Sequence, residues 1–183
     1  TTGVQSQYIS KANQAAYSLL GLINDILDFS KIEAGKLDLS YHEFNLSELL
    51  ADTLSVMSFK AEEKDLELLA FFDFDIPPFI VSDKLRIGQV LNNLLSNAIK
   101  FTEHGEVILS IKLVKENQDI VQLMFCVKDS GIGISKSAQK NLFQEFSQVD
   151  SSATRSVEGT GLGLAICKKL TSMLDGDIWI EDS

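Results

Sequence analysis

Asn93, Asn97 and Lys100 stand four and three residues apart on one predicted helix, which places both amides and the ammonium on the same side. An amide oxygen is a hard ligand suited to a magnesium ion that also holds phosphate oxygens. An ammonium beside it neutralises phosphate as a point charge. The run Asp129-Ser130-Gly131-Ile132-Gly133-Ile134 leaves a predicted strand and enters a loop. An ionised Asp only accepts hydrogen bonds, which suits an exocyclic amine such as that of adenine, and glycines without a Cβ let a ligand lie against the backbone. The run Gly159-Thr160-Gly161-Leu162-Gly163-Leu164 opens a helix, where backbone N–H groups and the positive helix end can approach a phosphate. No Gly-Lys-Ser or Gly-Lys-Thr follows, so this is not a P-loop, and its late position sets it apart from the dinucleotide fingerprint. Taken singly, each pattern has a plainer reading: Asn/Lys faces occur on solvated helix surfaces, and D-x-G-x-G occurs at ordinary turns.

The elements that must position these residues are legible from periodicity and turn residues. A proline-free helix is predicted from about Val4 to Ala34, with Ile9, Ala12, Ala16, Leu19, Ile23 and Ile26 at alternating spacings of three and four, widened by Leu20 and Leu27. Such a stripe needs partner helices, most simply in a homodimer. Gly35 ends this helix and opens a linker through about Phe44. Asn45 and Glu48 form a capping-box pattern that starts a helix to about Lys64. Strands are expected at Leu66–Phe72 and Phe79–Val81, followed by the helix from Ser82 or Asp83 to Phe101, burying Leu85, Val90, Leu91, Leu94, Leu95 and Ala98. A hairpin of Glu106–Val114 and Ile120–Lys128 comes next, then a short helix near Lys136–Phe143. The polar stretch Ser147–Gly159, a helix Leu162–Leu174 and a short strand Ile178–Glu181 complete the order.

The 183 residues are 45% hydrophobic, enough for one sizeable domain with an appended element, and the net charge of −10 argues against nucleic acid or an anionic membrane as the main partner. Nucleotide binding is compatible with that charge, since it needs only local donors and one metal ion. Cys126 and Cys167 lack zinc spacing and read as reduced core thiols. No apolar run reaches the ~18 residues of a membrane helix, and the piece is expected to be cytoplasmic, which is compatible with a membrane anchor elsewhere in a longer protein.

Order and spacing together carry a resemblance. QVLNNLLSNAIKFT (Gln89 to Thr102) resembles the N box of histidine kinases, and VKDSGIGIS (Val127 to Ser135) their first glycine box. LFQEFSQVDSS (Leu142 to Ser152) is similar to the phenylalanine box, and GTGLGLAI (Gly159 to Ile166) to the second glycine box. LINDILDFSKIEAGKL (Leu22 to Leu37) resembles the end of the second helix of the dimerisation and histidine-transfer region, and FTEHGEV (Phe101 to Val107) resembles hybrid kinases carrying their own receiver. The resemblance implies an α/β two-layer sandwich, its mixed sheet covered by helices on one face and preceded by a long bundle helix. Residues 1–40 would be the second dimerisation helix plus linker, and 41–183 the ATP-binding domain, without its last strand.

By the same likeness Asn97 would bind Mg²⁺ with Asn93 beside it, Lys100 would hold phosphate, and Phe101 would pack near the nucleotide. Asp129 would select adenine in a pocket shaped by Gly131 and Gly133. Phe143 and Phe146 would anchor a mobile lid, or serve as ordinary core aromatics. Arg155 would reach the phosphates, and Gly159, Thr160, Gly161, Leu162 and Gly163 would support the triphosphate of ATP or ADP. Glu158 and Asp175 stand where this family often has glycine. The implied reaction moves the γ-phosphoryl group to a histidine of the same or a partner subunit, for relay to a response-regulator receiver. The two histidines, His42 in YHEF and His104 in TEHGEV, have neither the setting nor the S-H-E-like box of a phosphoacceptor. The chain by itself is therefore expected not to autophosphorylate. Two other functions are carried alongside. A gyrase- or chaperone-type ATPase would need a general-base glutamate where Asn93 stands. A pseudokinase would bind nucleotide without turnover, or serve only to dimerise.

Overall fold

The computed structural model describes residues 3–117, 120–145 and 161–181. The first helix, α1 (Gly3–Glu33), runs 31 residues and ends as expected at Gly35, which takes a left-handed backbone at φ 61. Within the expected linker lies a short strand that sequence reading missed, β1 (His42–Asn45), antiparallel to β3 (Phe79–Ser82). Its paired residues lie 34 to 40 positions along the chain (Asn45 with Phe79, His42 with Ser82), so no local pattern announces it. Helix α2 (Leu46–Glu62) begins where Asn45 Oδ1 accepts the N–H of Glu48 at 3.3 Å.

The main sheet has the order β2-β4-β5: β2 (Glu67–Phe72) is parallel to β4 (Glu106–Glu116), which is antiparallel to β5 (Val121–Asp129). Helix α3 (Lys84–Phe101) is capped by Asp83, whose Oδ1 accepts the N–H of Arg86 at 3.1 Å and whose Oδ2 accepts that of Ser40 at 2.9 Å. That buried carboxylate therefore ties the linker to the start of α3. A one-turn helix α4 (Lys136–Gln139) and the helix α5 (Gly163–Met173) follow. Ile178–Glu181, expected as a strand, has no ladder partner among the described residues and is not one.

The main core lies between the sheet and α2/α3, with Leu91, Leu95, Ala98 and Ile99 of α3 against Val107, Leu109 and Ile111 of β4 and Leu49, Leu50 and Met57 of α2. Removing such a side chain costs about 2–5 kcal/mol. Leu85 was expected in this core but is 70% exposed. The buried stripe of α3 runs through Gly88, Leu91, Leu95, Ala98 and Ile99, and Leu85 lies roughly a quarter-turn from its centre. A second cluster joins Leu37, Leu162, Ile166 and Leu170, with Phe29, Ile32, Leu39, Val90 and Met173 packed on it. It fastens the C-terminal end of α1 to α3 and α5. Both cysteines are free thiols, Cys167 buried on α5 and Cys126 half-buried on β5. No helix among the described residues is long and apolar enough to cross a membrane.

Candidate functional site

The face of α3 opposite its buried stripe carries Asn93, Asn97 and Lys100, because 3.6 residues per turn set these positions about half a turn from Leu91 and Leu95. Asn97 Nδ2 donates to Asn93 Oδ1 at 3.0 Å. The pair is therefore oriented, and Asn97 Oδ1 is the amide oxygen not already engaged. Lys100 Nζ lies 5.4 Å from the centroid of the Phe101 ring, which is 40% exposed. His42 is on β1, its Nε2 2.9 Å from Ser40 Oγ, and His104 is in the turn after α3.

Two other segments close on this face. A Cβ built on Gly163, the first residue of α5, would lie 2.4 Å from Asn93 Nδ2 and 2.8 Å from Asn93 Oδ1, so the helix start rests on the Asn93 amide with no room for a side chain. A Cβ on Gly131 would lie 2.6 Å from the Phe101 carbonyl oxygen. Asp129 ends β5, and its Oδ1 accepts the N–H of Gly131 at 3.0 Å, leaving Oδ2 open. Gly133 and Gly161 both adopt left-handed backbone, at φ 68 and 69, and Leu162 is buried just ahead of α5. The structure thus brings Asn93, Asn97, Lys100, Phe101, Asp129, Gly131 and Gly163 into one neighbourhood, although 70 residues separate the first from the last.

Phe143 is half-buried in the turn after α4, its ring 5.9 Å from Lys168 Nζ. It lines a cleft with Gln144, Glu145, Ala165, Lys168 and Lys169 that shares no residue with the α3 face. Phe146, Arg155, Glu158, Gly159 and Thr160 lie outside the described residues.

Sequence reading missed three features of this region. The polar stripe of α3 continues N-terminally through Gln89 and Arg86, and there it meets α1. Asp28 Oδ2 accepts from Arg86 at 3.0 Å and from Gln89 Nε2 at 2.9 Å. The spacing 86-89-93-97-100 was the available signal. At the other end of α3, Lys64 Nζ donates to the carbonyls of Ile99 and Lys100 at 2.8 Å each and of Thr102 at 3.2 Å, capping the helix that presents Lys100. On α5, Lys169 bridges Glu33 of α1 and Glu145. Burial opposes its charge, but the hydrogen bonds it donates to the two carboxylates outweigh that and hold the ammonium above its usual range.

A two-layer domain with a mixed sheet under helices, and with glycine-bearing loops gathered on an Asn/Lys helix face, defines a class of nucleotide-binding ATPase modules. Residues 82–183 match the Histidine kinase-, DNA gyrase B-, and HSP90-like ATPase family, and the chain belongs to that family as an ATP-binding catalytic module of the sensor histidine kinase type. It is 47% identical over 179 residues to the sensor histidine kinase GacS of Pseudomonas protegens, an alignment covering 98% of this chain and 20% of that protein. It is 41% identical over 177 residues to hybrid signal transduction histidine kinase B of Dictyostelium discoideum, covering 97% of this chain and 9% of that one. The fold superposes with a TM-score of 0.76 and 32% identity on full-length ShkA in complex with AMPPNP, over 93% of this chain and 34% of that chain. The chain thus spans a fifth or less of the length of these two curated relatives.

Proposed function

We propose that this module binds Mg–ATP on the α3 face and delivers the γ-phosphoryl group to a histidine outside these 183 residues, for onward transfer to a response-regulator aspartate. The observation that carries the reading is the convergence of two separate segments on α3, Gly163 seated on Asn93 and Gly131 seated on the Phe101 carbonyl, beside the Asn93–Asn97 hydrogen bond. The absence of a Cβ at both glycines lets the two segments pack directly on α3, against the Asn93 amide and the Phe101 carbonyl, beside the polar face that would receive the ligand. ShkA, which shares this fold, was solved with AMPPNP, a nucleoside triphosphate analogue.

In this reading Asp129 Oδ2 accepts the exocyclic amine of adenine, and Phe101 covers one side of the base. Lys100 neutralises phosphate, and Arg155 reaches the phosphates from the polar stretch. Gly159, Thr160, Gly161, Leu162 and Gly163 bring backbone N–H groups and the start of α5 to the triphosphate. Gly133 completes the base loop, and Phe143 and Phe146 root the lid. Asn97 Oδ1 holds Mg²⁺, with Asn93 setting the amide through its hydrogen bond. Among the described residues no group of three His, Cys, Asp or Glu side chains is placed to hold a metal ion; in this reading the ion is shared between Asn97 and the phosphate oxygens. Bound Mg²⁺ supplies charge neutralisation of the transferring phosphoryl group. The protein's share is positioning and electrostatics. Asn93 offers no general base for hydrolysis, which separates the module from the water-activating members of its family.

We place the boundary near residue 40, with residues 1–40 a dimerisation helix and linker and 41–183 the catalytic unit. The partners are then a second copy of the chain through α1, the phosphoacceptor helix and a receiver domain. The test is calorimetric titration of ADP with and without Mg²⁺. Asp129→Ala is expected to weaken ADP binding roughly tenfold to a hundredfold, the worth of a hydrogen bond to a charged group. Asn97→Ala is expected to abolish the dependence on Mg²⁺. Wild-type affinity in Asp129→Ala would end the adenine assignment, and retained Mg²⁺ dependence in Asn97→Ala would end the metal assignment.

A further inference from the structure

The loop that carries Asp129 is clasped from its far side by the residue that follows it. The β4–β5 ladder has its last pair at Val107 and Asp129. The grip passes next to Ser130. Its Oγ accepts the N–H of Glu106 at 2.9 Å and lies 3.2 Å from the carbonyl oxygen of His104 and 3.3 Å from that of Glu106, to one of which its single proton goes. Its own backbone N–H donates to Glu106 O at 3.1 Å. These partners lie in the turn after α3 and at the first residue of β4, the segment that follows Lys100 and Phe101.

That turn is shaped around the hydroxyl. Gly105 adopts φ 106, in the left-handed region, and a Cβ there would lie 2.3 Å from Ser130 Oγ. The carbonyl of Gly105 is held in turn by the N–H of Glu67 at 3.0 Å, the first residue of β2. One residue beyond Ser130, Gly131 rests on the Phe101 carbonyl. The Asp-Ser-Gly step is therefore pinned at two successive residues to the end of α3 and the turn after it. The same pins set where the Asp129 carboxylate stands relative to Asn97 and Lys100.

We propose that Ser130 is a positioning residue for base selection. By clasping the 104–106 turn it fixes Asp129 where it can accept from an exocyclic amine, as adenine offers, and repel a carbonyl oxygen at the same place, as guanine offers. This inference rests on the reading of Asp129 as the base contact, and the test keeps the two apart. The affinities of ADP and GDP are measured, with Mg²⁺, by displacement of a fluorescently labelled ADP from the whole chain. The proteins compared are wild type, Ser130→Ala, Ser130→Thr and Asp129→Ala, with a thermal midpoint for each. Ser130→Ala is expected to weaken ADP about five- to tenfold, the worth of one or two hydrogen bonds, while GDP is unchanged, so the preference for ADP contracts by the same factor. Ser130→Thr, which keeps the hydroxyl, is expected to restore the preference. An unchanged ADP/GDP ratio in Ser130→Ala, with ADP binding lost in Asp129→Ala, would overturn the role of Ser130 and leave Asp129 standing. Equal losses of affinity and thermal midpoint in Ser130→Ala and Ser130→Thr would mark a merely structural residue and overturn it too. Wild-type affinity in Asp129→Ala would overturn both.

Discussion

Asp175 takes φ 57, a left-handed backbone that costs an L-residue energy and that glycine adopts freely. It does so because α5 ends there in a paired cap: Asp175 N–H donates to Ser172 O at 3.2 Å and Gly176 N–H to Thr171 O at 2.9 Å. The departure from the family's glycine that is visible in the sequence therefore has a physical counterpart in the fold. Asp175→Gly is expected to stabilise the chain by roughly 0.5–1 kcal/mol, raising the thermal midpoint by about 1–4 °C. A lowered midpoint in differential scanning calorimetry would show that the aspartate carries an interaction worth more than the strain. At the same scale the amide pair is the informative detail. Both asparagines were legible as candidate ligands from their spacing, but only the hydrogen bond between them distinguishes the oxygen of Asn97 from that of Asn93.

Among the elements, the attachment of α1 to the rest is the least expected feature. Its C-terminal end is fastened by the apolar contacts of Phe29 and Ile32, by Asp28 with Arg86 and Gln89, and by Glu33 with Lys169, whose ammonium lies 4.5 Å from the Phe29 ring centroid. Asp25 is drawn into this contact, and burial, with Asp28 adding repulsion, raises its carboxyl above the ordinary 3.8. Burial likewise pushes the Cys167 thiol up to about 12, Asp25 contributing, so that thiol stays protonated and inert at neutral pH. A carboxyl whose folded value is raised favours folding below its unfolded value, and that contribution is lost as pH rises through the folded value. Above that value the charge on Asp25 therefore opposes the docking of α1. Asp25→Asn is expected to raise the thermal midpoint at pH 7 by roughly 1–4 °C, the gain shrinking as pH is lowered toward 3.8. A gain that stays constant across that range in melts at successive pH values would rule out ionisation of Asp25 as its source.

For the whole molecule, the long helix presents an unpaired apolar stripe. Ile9, Leu19, Leu20, Ile23, Ile26 and Leu27 are each more than two-fifths exposed. Burying one Leu or Ile is worth roughly 1.5–3 kcal/mol, so a stripe of this length is a strong drive to association. The chain is expected to sediment as a dimer, and Ile23→Glu to shift it to monomer while leaving ADP affinity within about twofold. The invariance is expected because Ile23 is an exposed residue of α1 that belongs to neither core cluster, and sites without shared partners act independently. A wild-type chain that sediments as a monomer at all concentrations would remove α1 as a dimerisation element. A monomeric Ile23→Glu with lost ADP binding would tie the nucleotide site to the dimer.

What the sequence by itself determined is everything governed by local period and local chemistry. The helices of α1, α2, α3 and α5 follow from apolar spacing and caps, the β4–β5 hairpin from alternation and a polar turn, and the candidate site residues from amide, carboxylate and glycine types at short spacings. These depend on residues within a turn or two of each other, and the chain states them directly. The tertiary structure alone decided what depends on distant partners. β1 exists because β3 comes to it, and Ile178–Glu181 is no strand because no neighbour among the described residues pairs with it. Leu85 is solvated because the buried stripe of α3 is set by where α2 and β4 lie. Most of all, the contacts of Gly163 with Asn93, Gly131 with Phe101 and Ser130 with the 104–106 turn join segments 24 to 70 residues apart. Their pairing is a matter of packing, which residue types and spacing along the chain do not encode in any readable local form.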